Sequence, residues 1–129
     1  LPTIRKLNIG FVAYSPLGRG FLSGAFRSRS DLKPGDWRLN NPRFSEEAIA
    51  KNVELADVVA EIAKEINASP AQVALAWLLS RKIPLATIPG TRSIRRLEEN
   101  WAAQQLTLDQ QHLERLEKLI DLGVAGKRY

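Results

Sequence analysis

The sequence contains no cysteine and no methionine, and it has one histidine among 129 residues. Without cysteine there is no disulfide, no thiol catalysis and no cysteine-ligated metal. No apolar run approaches the ~18 residues that cross a bilayer, and the N-terminus lacks a signal-peptide pattern. These absences predict a soluble, cytoplasmic chain with no membrane partner. The lack of any methionine, in a chain that begins at Leu1, predicts a piece of something longer. Low complexity and internal repeats are also absent.

What is present is an ordinary globular composition, 44% apolar and 26% charged, with a net charge of +5. The basic excess is local. Residues 1–45 carry eight positive and two negative charges, residues 46–80 two and six, and residues 81–100 five and two. Two basic islands therefore flank an acidic stretch. Islands that meet in space suit a polyanion of limited size, such as the phosphates of a dinucleotide. A nucleic-acid footprint is more often one continuous basic face, so no nucleic-acid partner is expected.

Pro2 to Leu7 reads as the end of a helix, stopped by Asn8 and Gly10. Ile9 to Pro16 is nearly continuously apolar, as expected of a parallel strand covered on both faces. Leu17 to Phe44 is a long Gly- and Pro-containing connection. Its aromatic and aliphatic residues argue against disorder, and connections of this length are often functional. Ser45 caps a helix with an apolar stripe at Leu55, Val58, Val59, Ile62 and Ile66. Ser69-Pro70-Ala71-Gln72 is a capping box opening a second helix, whose run Val73 to Leu79 predicts deep burial, with Trp77 in the core. Ile83 to Ile88 is a second strand, broken by Pro89-Gly90. Ser93 caps a short helix, and a second capping box at Thr107 to Gln110 opens the last one, ended by Gly123. His112 falls in the polar first turn of that helix and reads as a surface residue. Strands alternating with helices mean a parallel sheet with crossover connections. Two strands alone do not make a stable independent sheet.

In α/β proteins ligands bind at the carboxyl ends of the strands. The first end is Tyr14-Ser15-Pro16-Leu17-Gly18-Arg19-Gly20, and the second is Ile88-Pro89-Gly90-Thr91-Arg92-Ser93. Both combine glycine, which admits close backbone approach to a phosphate, with arginine as a charge-assisted donor. The helix after Ser93 adds its positive dipole end. On that helix Arg96, Glu99 and Asn100 share a face, with Arg92 near its start. Two arginines suit a phosphomonoester, and an amide and carboxylate suit an adenine edge or the orientation of the arginines. An exposed face laced with Arg–Glu pairs fits the same spacing. Gly18, Gly20 and Gly24 are spaced one residue too wide for the Rossmann fingerprint, and no helix opens directly behind them.

AYSPLGRGFLSG at 13–24 and IPGTRSIRRLEEN at 88–100 resemble the aldo-keto reductase superfamily, in particular its bacterial and plant branch. NPRF at 41–44, SPAQVALAWLL at 69–79 and VAGKRY at 124–129 resemble the same branch, so the likeness covers essentially the whole chain in order. The resemblance implies an α/β fold, an eight-stranded (β/α)8 TIM barrel. This chain would be its C-terminal half, an incomplete barrel made of the seventh strand (Ile9 to Pro16), the eighth (Ile83 to Ile88) and their helices, without a second domain. It also implies NADP as cofactor and hydride transfer to aldehydes and ketones. By resemblance Tyr14 stacks on the nicotinamide, while Ser15, Leu17, Gly18 and Gly20, with Arg19 among them, wrap the pyrophosphate. Gly90, Thr91 and Arg92 grip the 2′-phosphoribose, Arg96 packs at the adenine and 2′-phosphate, and Glu99 and Asn100 sit at the adenine. The long connection would close over the cofactor and border the substrate pocket.

The departure from the family pattern is large. The family's catalytic Asp, Tyr, Lys and His lie on early strands and have no counterpart here, so no catalytic or metal-binding residue is assigned. Neither Tyr14 nor His112 occupies a catalytic position. Two readings follow. The chain is the cofactor-binding part of a carbonyl reductase, its partner being the missing part of the barrel or a second copy. Alternatively, it is a catalytically inactive nucleotide-binding module.

Overall fold

Two serines start the helices that organise the chain. In this computed structural model, which describes residues 2–127, the Ser45 hydroxyl accepts a hydrogen bond from the Ala48 N–H at 3.2 Å. Helix α2 follows as Glu46–Glu65, with two glutamates in its first turn and Lys64 in its last, both complementing the dipole. Asn67, left-handed at φ 52°, reverses the chain. The capping box then forms as the sequence predicts. Ser69 Oγ accepts from Gln72 N–H at 3.3 Å, and Gln72 Oε1 accepts from Ser69 N–H at 2.9 Å. It opens α3, Pro70–Leu79.

The remaining elements are α1 (Pro2–Lys6), strands β1 (Phe11–Ala13) and β2 (Leu85–Thr87), α4 (Ile94–Ala102) and α5 (Gln110–Leu122). The strands pair in parallel, Phe11 with Leu85, Val12 with Ala86 and Ala13 with Thr87, across the long connection, α2 and α3. Parallel pairing agrees with the sequence reading; double-sided burial does not. Each strand is three residues long, and Phe11 and Val12 are exposed while Ala13 is buried. A strand with one neighbour and no covering layer keeps an open edge and an open face. The barrel expectation is met here only to the extent of two parallel strands and their helices.

The connection between β1 and α2 is ordered. Four 3₁₀ turns, Gly18–Ser23, Arg29–Asp31, Trp37–Asn40 and Pro42–Phe44, carry it over the first half of α2. Phe21, Phe26, Leu32 and Phe44 bury themselves there against Ile49 and Ala56. Phe21 and Phe26 meet edge to face with ring centres 5.3 Å apart. A second cluster joins α2, α3 and α5 through Val59, Ile62, Ala63, Val73 and Leu116.

Several local expectations are corrected. The predicted stripe of α2 is present at Val58, Val59, Ile62 and Ile66, which form or pack on the second cluster; the buried ridge continues through Ile49, Asn52, Ala56 and Ala63 in place of Leu55, which lies beside it. In α3 full burial stops at Ala76; Trp77 is half-buried and packs against the second cluster, as the sequence predicts in part, while Leu79 is exposed. The Arg81 guanidinium covers the Trp77 ring, 3.9 Å from its centre. Asp109 caps α5 in place of Thr107, accepting from His112 N–H at 2.8 Å. Gln110 turns its amide to Glu114 instead of closing a box. The His112 side chain is only 13% exposed, held between Glu65 and Asp109. Arg128 and Tyr129 of the VAGKRY motif lie outside the described residues. Among the described residues, no helix is long and apolar enough to cross a membrane.

Candidate functional site

Parallel, in-register pairing places the carboxyl ends of β1 and β2 side by side. The chain leaves them in two loops that diverge around one cavity of about 610 Å³. That volume falls within the range of small-molecule sites. One wall comes from the loop after β1, with Ser15, Leu17, Arg19 and Gly20. The opposite wall is built by Gly90, Thr91, Arg96, Glu99 and Asn100, after β2 and on α4. Ala71, at the start of α3, lies between them.

The backbone of the first loop is left-handed at Ser15 (φ 54°), Gly18 (57°), Arg19 (61°) and Gly20 (91°). Glycine is free to adopt that region, which is why the turn needs it at two of these positions. The N–H groups of Gly18 and Gly20 donate to the carbonyls of Ser15 and Leu17, both at 3.0 Å. These glycines thus shape the turn, and their own donors are engaged within it. In the second loop Thr91 Oγ1 accepts from Ser93 N–H at 3.1 Å, and Ser93 Oγ caps α4 by accepting from Arg96 N–H at 3.4 Å. Thr91, just before α4, and Arg95 and Arg96, at its start, line the cavity, so the positive dipole end of this helix lies beside it.

One side chain ties α4 to α3 by a hydrogen bond. Gln72, already closing the capping box, donates from Nε2 to the Glu99 carbonyl at 3.1 Å. That carbonyl belongs to the last turn of α4, where carbonyls lack helical partners. The contact aligns the face that carries Arg96, Glu99 and Asn100.

Of the residues singled out from sequence, Tyr14, Gly18 and Arg92 are not part of the cavity wall. Tyr14 and Arg92 are exposed, and Gly18 lies within the turn. Two arginines that the spacing argument passed over do line it, Arg38 and Arg95. Arg95 neighbours Arg96 on the first turns of α4 and was legible as part of the second basic island. Arg38 arrives from the middle of the long connection, where no local pattern marks it. Its Nε and Nη2 donate to the two Asp36 carboxyl oxygens at 3.0 and 2.7 Å. The Arg38 hydrogen bonds hold the Asp36 carboxyl down at about 2. Four arginines, 19, 38, 95 and 96, thus border the cavity beside Glu99, with Arg38 paired to Asp36. Such a donor set suits a multiply charged phosphate ligand. His112 lies elsewhere, on α5 beside Glu65.

Comparison with known proteins addresses the family. The profile described as the Aldo/keto reductase family matches residues 1–121. The chain is 40% identical over 126 residues, 97% of its length, to "Aldo-keto reductase yakc [NADP(+)]" of Schizosaccharomyces pombe. It is 39% identical over 94% of its length to "Aldo-keto reductase str7" of Strobilurus tenacellus. To "Probable aldo-keto reductase 1" of Glycine max it is 38% identical over 100% of its length. The chain spans 36% to 37% of the length of these relatives. A profile match over nearly the whole chain, with three relatives near 40% identity, leads to one conclusion: the chain belongs to the aldo/keto reductase family.

Proposed function

We propose that this chain is the cofactor-binding part of an NADPH-dependent reductase of aldehydes and ketones. In this reading residues 1–129 belong to one barrel domain, with β1 as its seventh strand and β2 as its eighth. The observation that carries the reading is the basic cavity between the two strand-end loops, bordered by Arg19, Arg38, Arg95 and Arg96. The NADP(+) in the name of the Schizosaccharomyces pombe relative supports the choice of cofactor.

NADPH, when bound, supplies the hydride. Everything else assigned to this chain is binding and orientation. Ser15, Leu17 and Arg19 would border the pyrophosphate in a turn shaped by Gly18 and Gly20, and Gly90, Thr91 and Arg96 would hold the 2′-phosphoribose, with Arg92 reaching it from outside the wall. Glu99 and Asn100 would take the adenine, and Tyr14 would stack on the nicotinamide. The small carbonyl substrate would be protonated by groups outside this sequence, contributed by the rest of the barrel or by another chain.

Titration with NADPH, followed by nucleotide fluorescence, tests the reading. The 129-residue chain should bind, and a Thr91/Arg92/Arg96 triple alanine variant should lose binding while keeping its helical circular dichroism. Absence of binding by the wild-type chain would overturn the assignment. A nucleotide-binding module without activity is favoured for the isolated chain, because the family's acid–base residues have no counterpart in it. Reduction of an aromatic aldehyde by the isolated chain would contradict that second reading.

A further inference from the structure

Arg38 enters the cavity wall with most of its guanidinium already engaged. Besides its two bonds to Asp36, its Nη1 donates to the Arg19 carbonyl at 3.1 Å. The guanidinium also lies over the Phe26 ring, 4.9 Å from its centre. Phe26 is buried and packs against Phe21 and Phe44, so Arg38 stands on the aromatic core of the connection. The contact is returned. The Arg19 guanidinium lies 5.1 Å from the centre of the Trp37 ring. Two adjacent residues, Trp37 and Arg38, therefore hold Arg19 by its side chain and by its backbone.

Arg19 is the residue that needs holding. It sits at φ 61° between Gly18 and Gly20, in a region disfavoured for a residue with a Cβ. At Gly20 an added Cβ would come 3.3 Å from Arg38 Nη1, so the guanidinium packs directly on the turn.

We propose that Arg38 is a positioning residue. With Trp37 it locks the Gly18–Gly20 turn in its binding shape before a pyrophosphate-bearing nucleotide arrives. The inference rests on the nucleotide reading of the cavity. It assigns the long connection a role as a fixed clamp, which spares the ligand the cost of ordering the turn. Because the turn faces the part that NADPH and NADH share, the effect is independent of the 2′-phosphate.

The test uses the 129-residue chain and its Arg38→Ala, Arg38→Lys and Trp37→Ala variants. Thermolysin digestion without nucleotide reads the lock, and titrations with NADPH and NADH read its consequence. Arg38→Ala should be cut faster within residues 21–44 while retaining its helical signal. It should bind both nucleotides about tenfold more weakly, the loss set by one charge-assisted hydrogen bond. Arg38→Lys keeps the charge and loses the fork, so it should remain protease-sensitive. Should Arg38→Ala fail to fold, Trp37→Ala removes the other half of the lock from an exposed position and carries the same expectation. Unchanged digestion of these variants, or a loss confined to NADPH, overturns the proposal. Faster digestion in a chain whose wild type binds neither nucleotide overturns the nucleotide reading and leaves the lock as a structural clamp.

Discussion

Asp36 shows how one neighbour sets the behaviour of a single residue. Its carboxyl is lowered from 3.8 to about 2 by the Arg38 hydrogen bonds. A depressed folded-state value means the stabilisation is fully present above the ordinary carboxylate range and is lost as pH falls from about 4 towards 2. Wild type should therefore have a higher urea midpoint than Asp36→Asn at pH 6, and the difference should narrow steadily as pH falls from about 4 through about 2. A gap that persists unchanged at pH 2 would count against the Asp36–Arg38 pair. Asn52 illustrates what residue type alone conceals. It is 2% exposed on the buried ridge of α2 and bonds both the N–H and the carbonyl of Ala125. Its partner lies 73 positions away, so nothing local distinguishes it from a solvated asparagine.

At the scale of elements, the junction of α3 with α4 links capping to the cavity. Ser69→Ala removes one cap bond and should cost about 1 kcal/mol in urea unfolding. Gln72→Ala removes the reciprocal bond and the Nε2 contact that satisfies the Glu99 carbonyl. It should cost more, about 1–3 kcal/mol, and should also weaken NADPH binding, because α4 carries Arg95, Arg96, Glu99 and Asn100. Equal costs, with binding untouched, would show that α4 is held by other contacts. The caps at Ser45, Ser69 and Ser93 were legible because capping is a matter of three or four neighbouring residues. The start of α5 was misplaced on the same grounds: Thr107 and Gln110 have the spacing of a capping box, but the extended backbone at Asp109, with its carboxylate accepting from His112 N–H, makes Asp109 the cap.

The whole molecule leaves apolar surface uncovered. Ile94, Leu97 and Trp101 form one stripe along α4 and are 77%, 58% and 71% exposed. Leu7, Ile9, Phe11 and Val12 are exposed beside the open sheet. Surface of this kind, together with unpaired strand edges, drives association. The chain should elute with a concentration-dependent mass in size-exclusion chromatography with light scattering. A Leu97→Glu/Trp101→Glu variant should shift towards the monomer without loss of helical signal. A wild type that stays monomeric at every concentration would show that these faces do not associate. Relatives nearly three times as long fit this picture, since the barrel implied by the family encloses such strands on both sides.

Local chemistry in the sequence determined the starts of α2, α3 and α4, the presence of two strand segments, the two Gly- and Arg-containing loops and the basic islands. Each depends on residues close together in the chain. Only the tertiary structure decided that the strand ends lie side by side, that Arg38 and Arg95 join the cavity, and that Arg92 and Tyr14 stand outside its wall. It also decided the burial of Asn52 and the exposure of Val12. These outcomes depend on which distant segment supplies a carbonyl, a ring or a covering layer. Periodicity records that a side chain is apolar or charged, and the partner it meets is set by the path of the chain in space.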